Sequence, residues 1–243
     1  MIKIEKVDVW GFEHAVRGMR NPMNSWDKSD SEYRKGVDGM SIDASMANNY
    51  QIGKNDLDLM HRLFIAGTEH RKFLRCLHIS MDVVAPLYWW KEYDTYKIST
   101  VANSCSTMHK IHAKEFTLDD FSTEHLKDCE SVGLTEFYDF PCGRQYTPMD
   151  SMTDTIKMLN FWRSIYLRYK DKSAWWQMIQ LLPSSYNQRR TLDFNYETAT
   201  QIIRQRTGHK LDEWHTFVDA LWELPYMREI MNGQTGYGCG WVD

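Results

Sequence analysis

The chain has 243 residues, of which 42% are hydrophobic and 14% aromatic, with ten tryptophans; this supplies a sizeable core and excludes a disordered chain. A formal net charge of −4 and a pI near 6.1 give no global attraction to polyphosphate, so a nucleic-acid polymer is not the expected partner. Five cysteines (Cys76, Cys105, Cys129, Cys142 and Cys239) form no CxxC pair, which fits free thiols in a reducing compartment.

The opening MIKIEKVDVWGFEH is charged from its third residue, and no apolar run approaches the roughly 18 residues of a membrane span. A cytoplasmic protein with no membrane association is expected, folded as a single domain over residues 1–243. Ile2 to Trp10 alternates apolar and polar positions with a slip at Glu5 and Lys6, the pattern of a strand, or of a strand leading into a helix. From Arg17 to Gly53 the periodicity is lost among Gly, Pro, Asn, Ser and Asp. That stretch reads as an irregular insertion, either solvated or covering a substrate.

Asn55 to Ala66 has helical spacing, with Leu57, Met60, Leu63 and Phe64 on one side and Asn55 as N-cap. Phe73 to Val84 reads as a strand ended by Ala85-Pro86. Helical periodicity returns over Leu87 to Lys97, Leu118 to Cys129, Met152 to Tyr169 and Ala174 to Leu182. A loop then leads to Asn195, followed by helices over Asn195 to Arg206 and Leu211 to Leu224. The glycine-rich tail, about 232–243, is expected to be poorly ordered or docked by Trp241.

The commonest catalytic signatures, GxGxxG, the Walker sequence, HExxH and GxSxG, are absent. His109 and His112 stand three residues apart with no third ligand nearby, so a metal is not expected. Cys105 lies among hydroxyl residues and is expected to be a small buried thiol rather than a nucleophile.

More informative is the spacing of Asn195 and Arg206. On one helix their eleven-residue separation leaves them about 20° apart in azimuth and about 16 Å apart along the axis. Asn195, Ala199, Ile202 and Arg206 then share a stripe. It either lines an elongated flat ligand or belongs to an ordinary amphipathic helix with an Arg at its C-terminal end.

At these positions the sequence resembles the flavin-dependent thymidylate synthases. Leu182-Pro183 is followed by Asn195 twelve residues after the proline and by Arg206 eleven residues later, and Trp214 falls near a characteristic tryptophan. Gly67-Thr68-Glu69-His70, Ala85-Pro86 and the strip Tyr88 to Lys110 follow in the family's order. Thr95-Tyr96-Lys97 falls on the RHR of the family signature RHRxxSxNExSxR, and Asn103 to Met108 falls on NExSxR with one residue inserted.

The departures are specific. Thr95, Tyr96 and Lys97 replace Arg, His and Arg; Met108 stands for a phosphate-binding Arg; and Ile179 stands where another Arg is expected. Arg and Lys are not equivalent where a planar fork grips a phosphate or a ring carbonyl. Positive charge then has to come from Lys91, Lys97, His109, Lys110, Arg189, Arg190, Arg17 or Arg20.

The resemblance implies an α+β fold with a central, mostly antiparallel sheet flanked by helices, and a homotetramer. It implies FAD as cofactor, NADPH and methylene-tetrahydrofolate as co-substrates, and one-carbon transfer to C5 of a deoxypyrimidine monophosphate, dUMP first. Another pyrimidine nucleotide such as dCMP, a hydroxymethyl product, and a non-catalytic nucleotide- or flavin-binding homologue stay open as alternatives. Residue by residue, the resemblance implies Arg206 and Ser106 as catalytic. Glu69, His70, Thr95, Tyr96, Lys97 and Asn195 fall at the cofactor, and Lys91, Glu92, Ser104, Ser106, Thr107, His109 and Arg206 at the substrate.

Overall fold

The computed structural model describes residues 2–33, 50–128 and 146–233. The expectations for Cys129, Cys142, Cys239, the tail beyond residue 233 and the middle of the 17–53 stretch lie outside the described residues. Strands and helices are mixed, around a central antiparallel sheet in the order β1 (Lys3–Trp10), β4 (His78–Pro86), β6 (Asn187–Asn195) and β5 (Thr100–Ser104). A two-stranded ribbon pairs β2 (Glu32–Tyr33) with β3 (Tyr50–Gln51). The helices are α1 (Phe12–Arg20), α2 (Lys54–Ile65), α3 (Leu87–Tyr93), α4 (Thr107–Lys110), α5 (Pro148–Tyr169), α6 (Lys172–Leu181), α7 (Tyr196–Arg206), α8 (Asp212–Trp222) and α9 (Met227–Asn232).

The chain divides into two compact units. One takes residues 2–3, 83–95, 103–128 and 146–190; the other takes 4–33, 50–82, 96–102 and 191–233. The first has a core of Ile111, Phe116, Phe121, Leu159 and Met178. Apolar residues of α5 and α6 pack on it, among them Ile156, Trp162, Trp175 and Ile179. Ile179 therefore packs, partly buried, against an apolar cluster at the position where the family pattern has an arginine. Trp89, Trp90 and Tyr93 are at most 1% exposed; Trp89 and Tyr93 stack, and Trp90 meets both edge to face.

In the second unit Met60, Phe64, Phe194, Tyr196, Trp214 and Phe217 are buried. The Tyr196 hydroxyl donates to Pro225 O at 2.9 Å, and burial raises its pKa. The slip in the first strand coincides with a left-handed residue, Lys6, at φ 50°. Gly11 opens α1 at φ 99°, and a Cβ there would lie 1.9 Å from Cys76 O, so only glycine satisfies both the dihedral and the approach.

Three local expectations are corrected. Helix α2 is capped not by Asn55 but by Asp30, whose carboxylate accepts the backbone N–H groups of Asn55 (2.8 Å) and Asp56 (3.1 Å). The segment before Asn195 is no loop: Gln188, Leu192 and Phe194 are buried along β6, and its arginines hid the strand pattern. Leu118 onward forms only a single 3-10 turn, Leu118–Asp120: a Thr117–Asp120 capping box opens it, and Phe121 then turns extended and bridges to Tyr186.

Below Gly53 the chain wraps a buried carboxylate. Asp56, wholly buried, accepts Arg20 Nε, Ser29 Oγ and Ser31 Oγ at 2.6 Å each, and Asp30 N–H at 3.2 Å. Part of the 17–53 stretch is thus folded onto the start of α2, and Arg20 is committed to an internal ion pair.

Candidate functional site

Arg206 is the last residue of α7, and half-buried. The guanidinium carbon lies 4.4 Å from the centroid of Trp214, a fully buried ring on α8, and 5.5 Å from that of Tyr96. Nε donates to the Tyr96 hydroxyl at 2.9 Å, and that hydroxyl donates onward to Gln205 Oε1 at 3.0 Å. The Tyr96 and Trp214 rings meet edge to face with centroids 6.1 Å apart.

His209 Nε2 lies 3.1 Å from Arg206 Nη1, and His209 Nδ1 lies 3.2 Å from the Leu211 N–H. A neutral imidazole has one acceptor nitrogen, so these two contacts are not hydrogen bonds at once. Such an arrangement presents a donor-only, planar cation with an aromatic floor, chemistry suited to carbonyl oxygens on a flat ring.

The altered strip reaches α7 at both ends of the helix. Tyr96 meets Gln205 and Arg206, and Thr198 Oγ1 donates to Ile98 O at 3.3 Å near the first turn. Ser99 is left-handed at φ 57°, and the Thr100 hydroxyl donates to Tyr96 O, closing the turn between them. Asn195 is 5% exposed, and its side-chain oxygen caps α7 by accepting the Thr198 N–H at 3.0 Å. Ala199 and Ile202 are 0% exposed, so the stripe between Asn195 and Arg206 is a core face and not a ligand wall.

Among the other cofactor positions in this unit, Glu69 and His70 are exposed in the turn that returns His70 N–H to Gly67 O at 3.1 Å, and Lys97 is exposed. Glu197, two residues into the helix, is buried with Arg71 at 3.1 Å, and its second carboxylate oxygen has no hydrogen-bond partner among the described residues.

The remaining predicted positions belong to the first unit. Ser106 Oγ accepts the His109 N–H at 3.0 Å and so caps the short α4; Ser104 and His109 are exposed and Thr107 half-buried. Lys91 is exposed and Glu92 half-buried on α3, and Thr95 Oγ1 donates to Glu92 O at 2.7 Å. Arg190 is engaged by Asp94 (2.7 Å), Gln188 Oε1 (3.0 Å) and the Trp90 ring (4.3 Å).

Cys105 corrects an expectation, since its side chain is exposed, not buried; its backbone is held by Arg189 O and Gln188 Nε2. Sequence reasoning missed Gln205 and His209 as neighbours of Arg206. Only the three-residue step from Arg206 to His209 pointed that way. No group of three or more metal-ligating side chains occurs among the described residues.

No protein-family model matches the chain, and no curated protein does. Solved structures do. The thymidylate synthase ThyX from Helicobacter pylori, solved with FAD and dUMP, superposes with a TM-score of 0.59 at 15% identity, covering 94% of this chain and 96% of that one. A UMP/dUMP methylase, PolB from Streptomyces cacaoi, solved with 5-Br UMP, gives a TM-score of 0.56 at 14% identity over 95% and 93%. The chain therefore has the fold of the flavin-dependent thymidylate synthases.

Proposed function

We propose that this protein is a flavin-dependent methyltransferase acting at C5 of a pyrimidine nucleoside monophosphate, with dUMP or UMP as acceptor. One observation carries the reading. At the end of α7 the fold holds Arg206 on the face of Trp214 and at the hydroxyl of Tyr96. A guanidinium fixed in this way binds the carbonyl edge of a uracil and stabilises the negative charge that develops on its oxygens when C5 attacks a one-carbon donor. Solved neighbours of the same fold with uracil nucleotides bound support the choice of acceptor.

The residues present fit an FAD. Exposed Lys97 is a partner for pyrophosphate, Glu69 and His70 offer an acceptor and a donor for ribose hydroxyls, and Tyr96 presents an aromatic ring. When bound, the flavin supplies the hydride that completes the methyl group. Methylene-tetrahydrofolate as one-carbon donor and NADPH as reductant complete the proposal. Arg206 orients the acceptor ring, while Asn195 fixes the first turn of α7. Within the first unit, Ser106 and its neighbours Ser104, Thr107 and His109, with Lys91, carry hydroxyl and cationic groups of the kind that bind a monophosphate.

A homotetramer belongs to the same proposal. The apolar residues Met158, Phe161 and Tyr169 of α5 and Trp176 and Leu181 of α6 are each more than 40% exposed, and support burial against another copy. A second reading, a nucleotide-binding homologue without catalysis, is favoured by the exchange of Arg, His and Arg for Thr95, Tyr96 and Lys97. Purified protein separates the two. Visible flavin absorbance and a nucleotide product heavier by one methylene unit support the enzyme, whereas nucleotide binding with no product supports the alternative.

A further inference from the structure

We propose that Tyr96 is the positioning residue of Arg206: through its hydroxyl it sets the direction in which the guanidinium is offered to a pyrimidine carbonyl. The inference rests on the function proposed above but adds a residue role specific to this chain. The hydroxyl is placed between two consecutive residues of α7, accepting from Arg206 Nε at 2.9 Å and donating to Gln205 Oε1 at 3.0 Å. A phenol has one proton. Arg206 Nε–H can only donate, and with the phenol proton spent on Gln205 Oε1 a lone pair is left to accept it, so the two bonds are made together.

An arginine at a helix end otherwise keeps most of its rotamer freedom, or turns back to the last carbonyls of its own helix. Here the guanidinium carbon sits over the Trp214 ring at 4.4 Å, while Tyr96 holds Nε from one edge and His209 Nε2 lies 3.1 Å from Nη1. Together, face and edge define where the remaining N–H vectors point. Tyr96 is itself seated independently of Arg206. Its ring lies edge-on to Trp214, its carbonyl accepts the Thr100 hydroxyl, and the carbonyl of Ile98, two residues on, is tied to Thr198. The strip that carries Tyr96 therefore acts as a fixed arm against α7.

The test uses the intact protein labelled with 15N-arginine. The Arg206 Nε–H signal, assigned by its loss in Arg206→Lys, is expected to exchange slowly with water in the wild type. In Tyr96→Phe, which keeps the ring and removes the acceptor, it is expected to exchange fast, with the unfolding midpoint little changed. Titration with dUMP and with UMP in the presence of FAD should then show about a tenfold loss of affinity in Tyr96→Phe, and no further loss when the change is made in an Arg206→Ala background.

An Nε–H signal that is unprotected in the wild type, or equally protected in Tyr96→Phe, overturns the positioning role. An equal loss of affinity in both backgrounds overturns action through Arg206. Wild-type protein that shows the exchange behaviour but binds neither nucleotide overturns the pyrimidine reading and leaves the orientation of Arg206 by Tyr96 supported.

Discussion

Replacing Asp56 by alanine tests the internal ion pair that anchors residues 20–31 to α2. Arg20 is 5% exposed and Asp56 is 0% exposed, so deleting the carboxylate strands a buried guanidinium that keeps its bond to Ser25 O, and also removes the acceptor for Ser29, Ser31 and Asp30 N–H. Breaking a buried pair from one side costs about 3–5 kcal/mol. For a chain of this size that is a fall of roughly 6–20 °C in Tm, read by thermal circular dichroism.

Arg62→Ala is the control. Its bond to Asp58 is similar in length at 2.8 Å, but both side chains are more than 60% exposed; it should cost no more than about 0.5 kcal/mol. A fall below about 2 °C for Asp56→Ala would refute the reasoning.

The pH dependence follows with a defined sign. Burial raises the pKa of Asp56, but hydrogen bonds from Ser29, Ser31 and Arg20 outweigh it and hold the carboxyl below its ordinary 3.8. A depressed folded pKa stabilises above the unfolded value. That contribution is fully present above about pH 4 and is lost as pH falls through the folded value. Asp56→Asn should therefore flatten the acid limb of stability below pH ~4.

Four further outcomes are expected. Gly11→Ala should destabilise by at least about 2 kcal/mol in urea unfolding, because φ 99° and the approach of Cys76 O both exclude a Cβ. Arg71→Met should cost about 3–5 kcal/mol by leaving Glu197 buried without its partner, and restoring much of that loss by adding Glu197→Gln would mark charge burial as the cause. Arg206→Lys should lower kcat/KM about 10²-fold with unfolding unchanged, since an ammonium lacks the fork that sits over Trp214 and donates Nε–H to Tyr96. Cys105→Ala should keep full turnover, because the role assigned to the ring-holding cation needs no protein nucleophile.

Much of the helical layout was legible because apolar residues recur at helical spacing in α2, α5, α7 and α8. The helix over Met152 to Tyr169 differs from α5 only by its start at Pro148, set by the Thr147 capping box. Strand β6 was not legible. Its first half, Asn187 to Arg190, offers no apolar alternation, and Gln188 is buried because its amide bonds Cys105 O and its carbonyl accepts from Trp90. Nor did local sequence show that Asp30 caps α2 from 25 residues away.

At the candidate site, spacing and the family resemblance together singled out Arg206, while spacing alone left the Asn195 to Arg206 stripe open between a ligand wall and an ordinary amphipathic helix. Ala199 and Ile202 instead face a packed core. The partners that orient Arg206 come from a turn more than a hundred residues earlier and from the residue beside it, contacts that only the tertiary fold creates.

The most direct measurement incubates the purified protein with FAD, NADPH, methylene-tetrahydrofolate and either dUMP or UMP, and weighs the nucleotide by mass spectrometry. The account predicts a flavin-bound protein and a product heavier by one methylene unit, formed about 10²-fold more slowly in Arg206→Lys. A protein that binds no flavin and returns both nucleotides unchanged would contradict it.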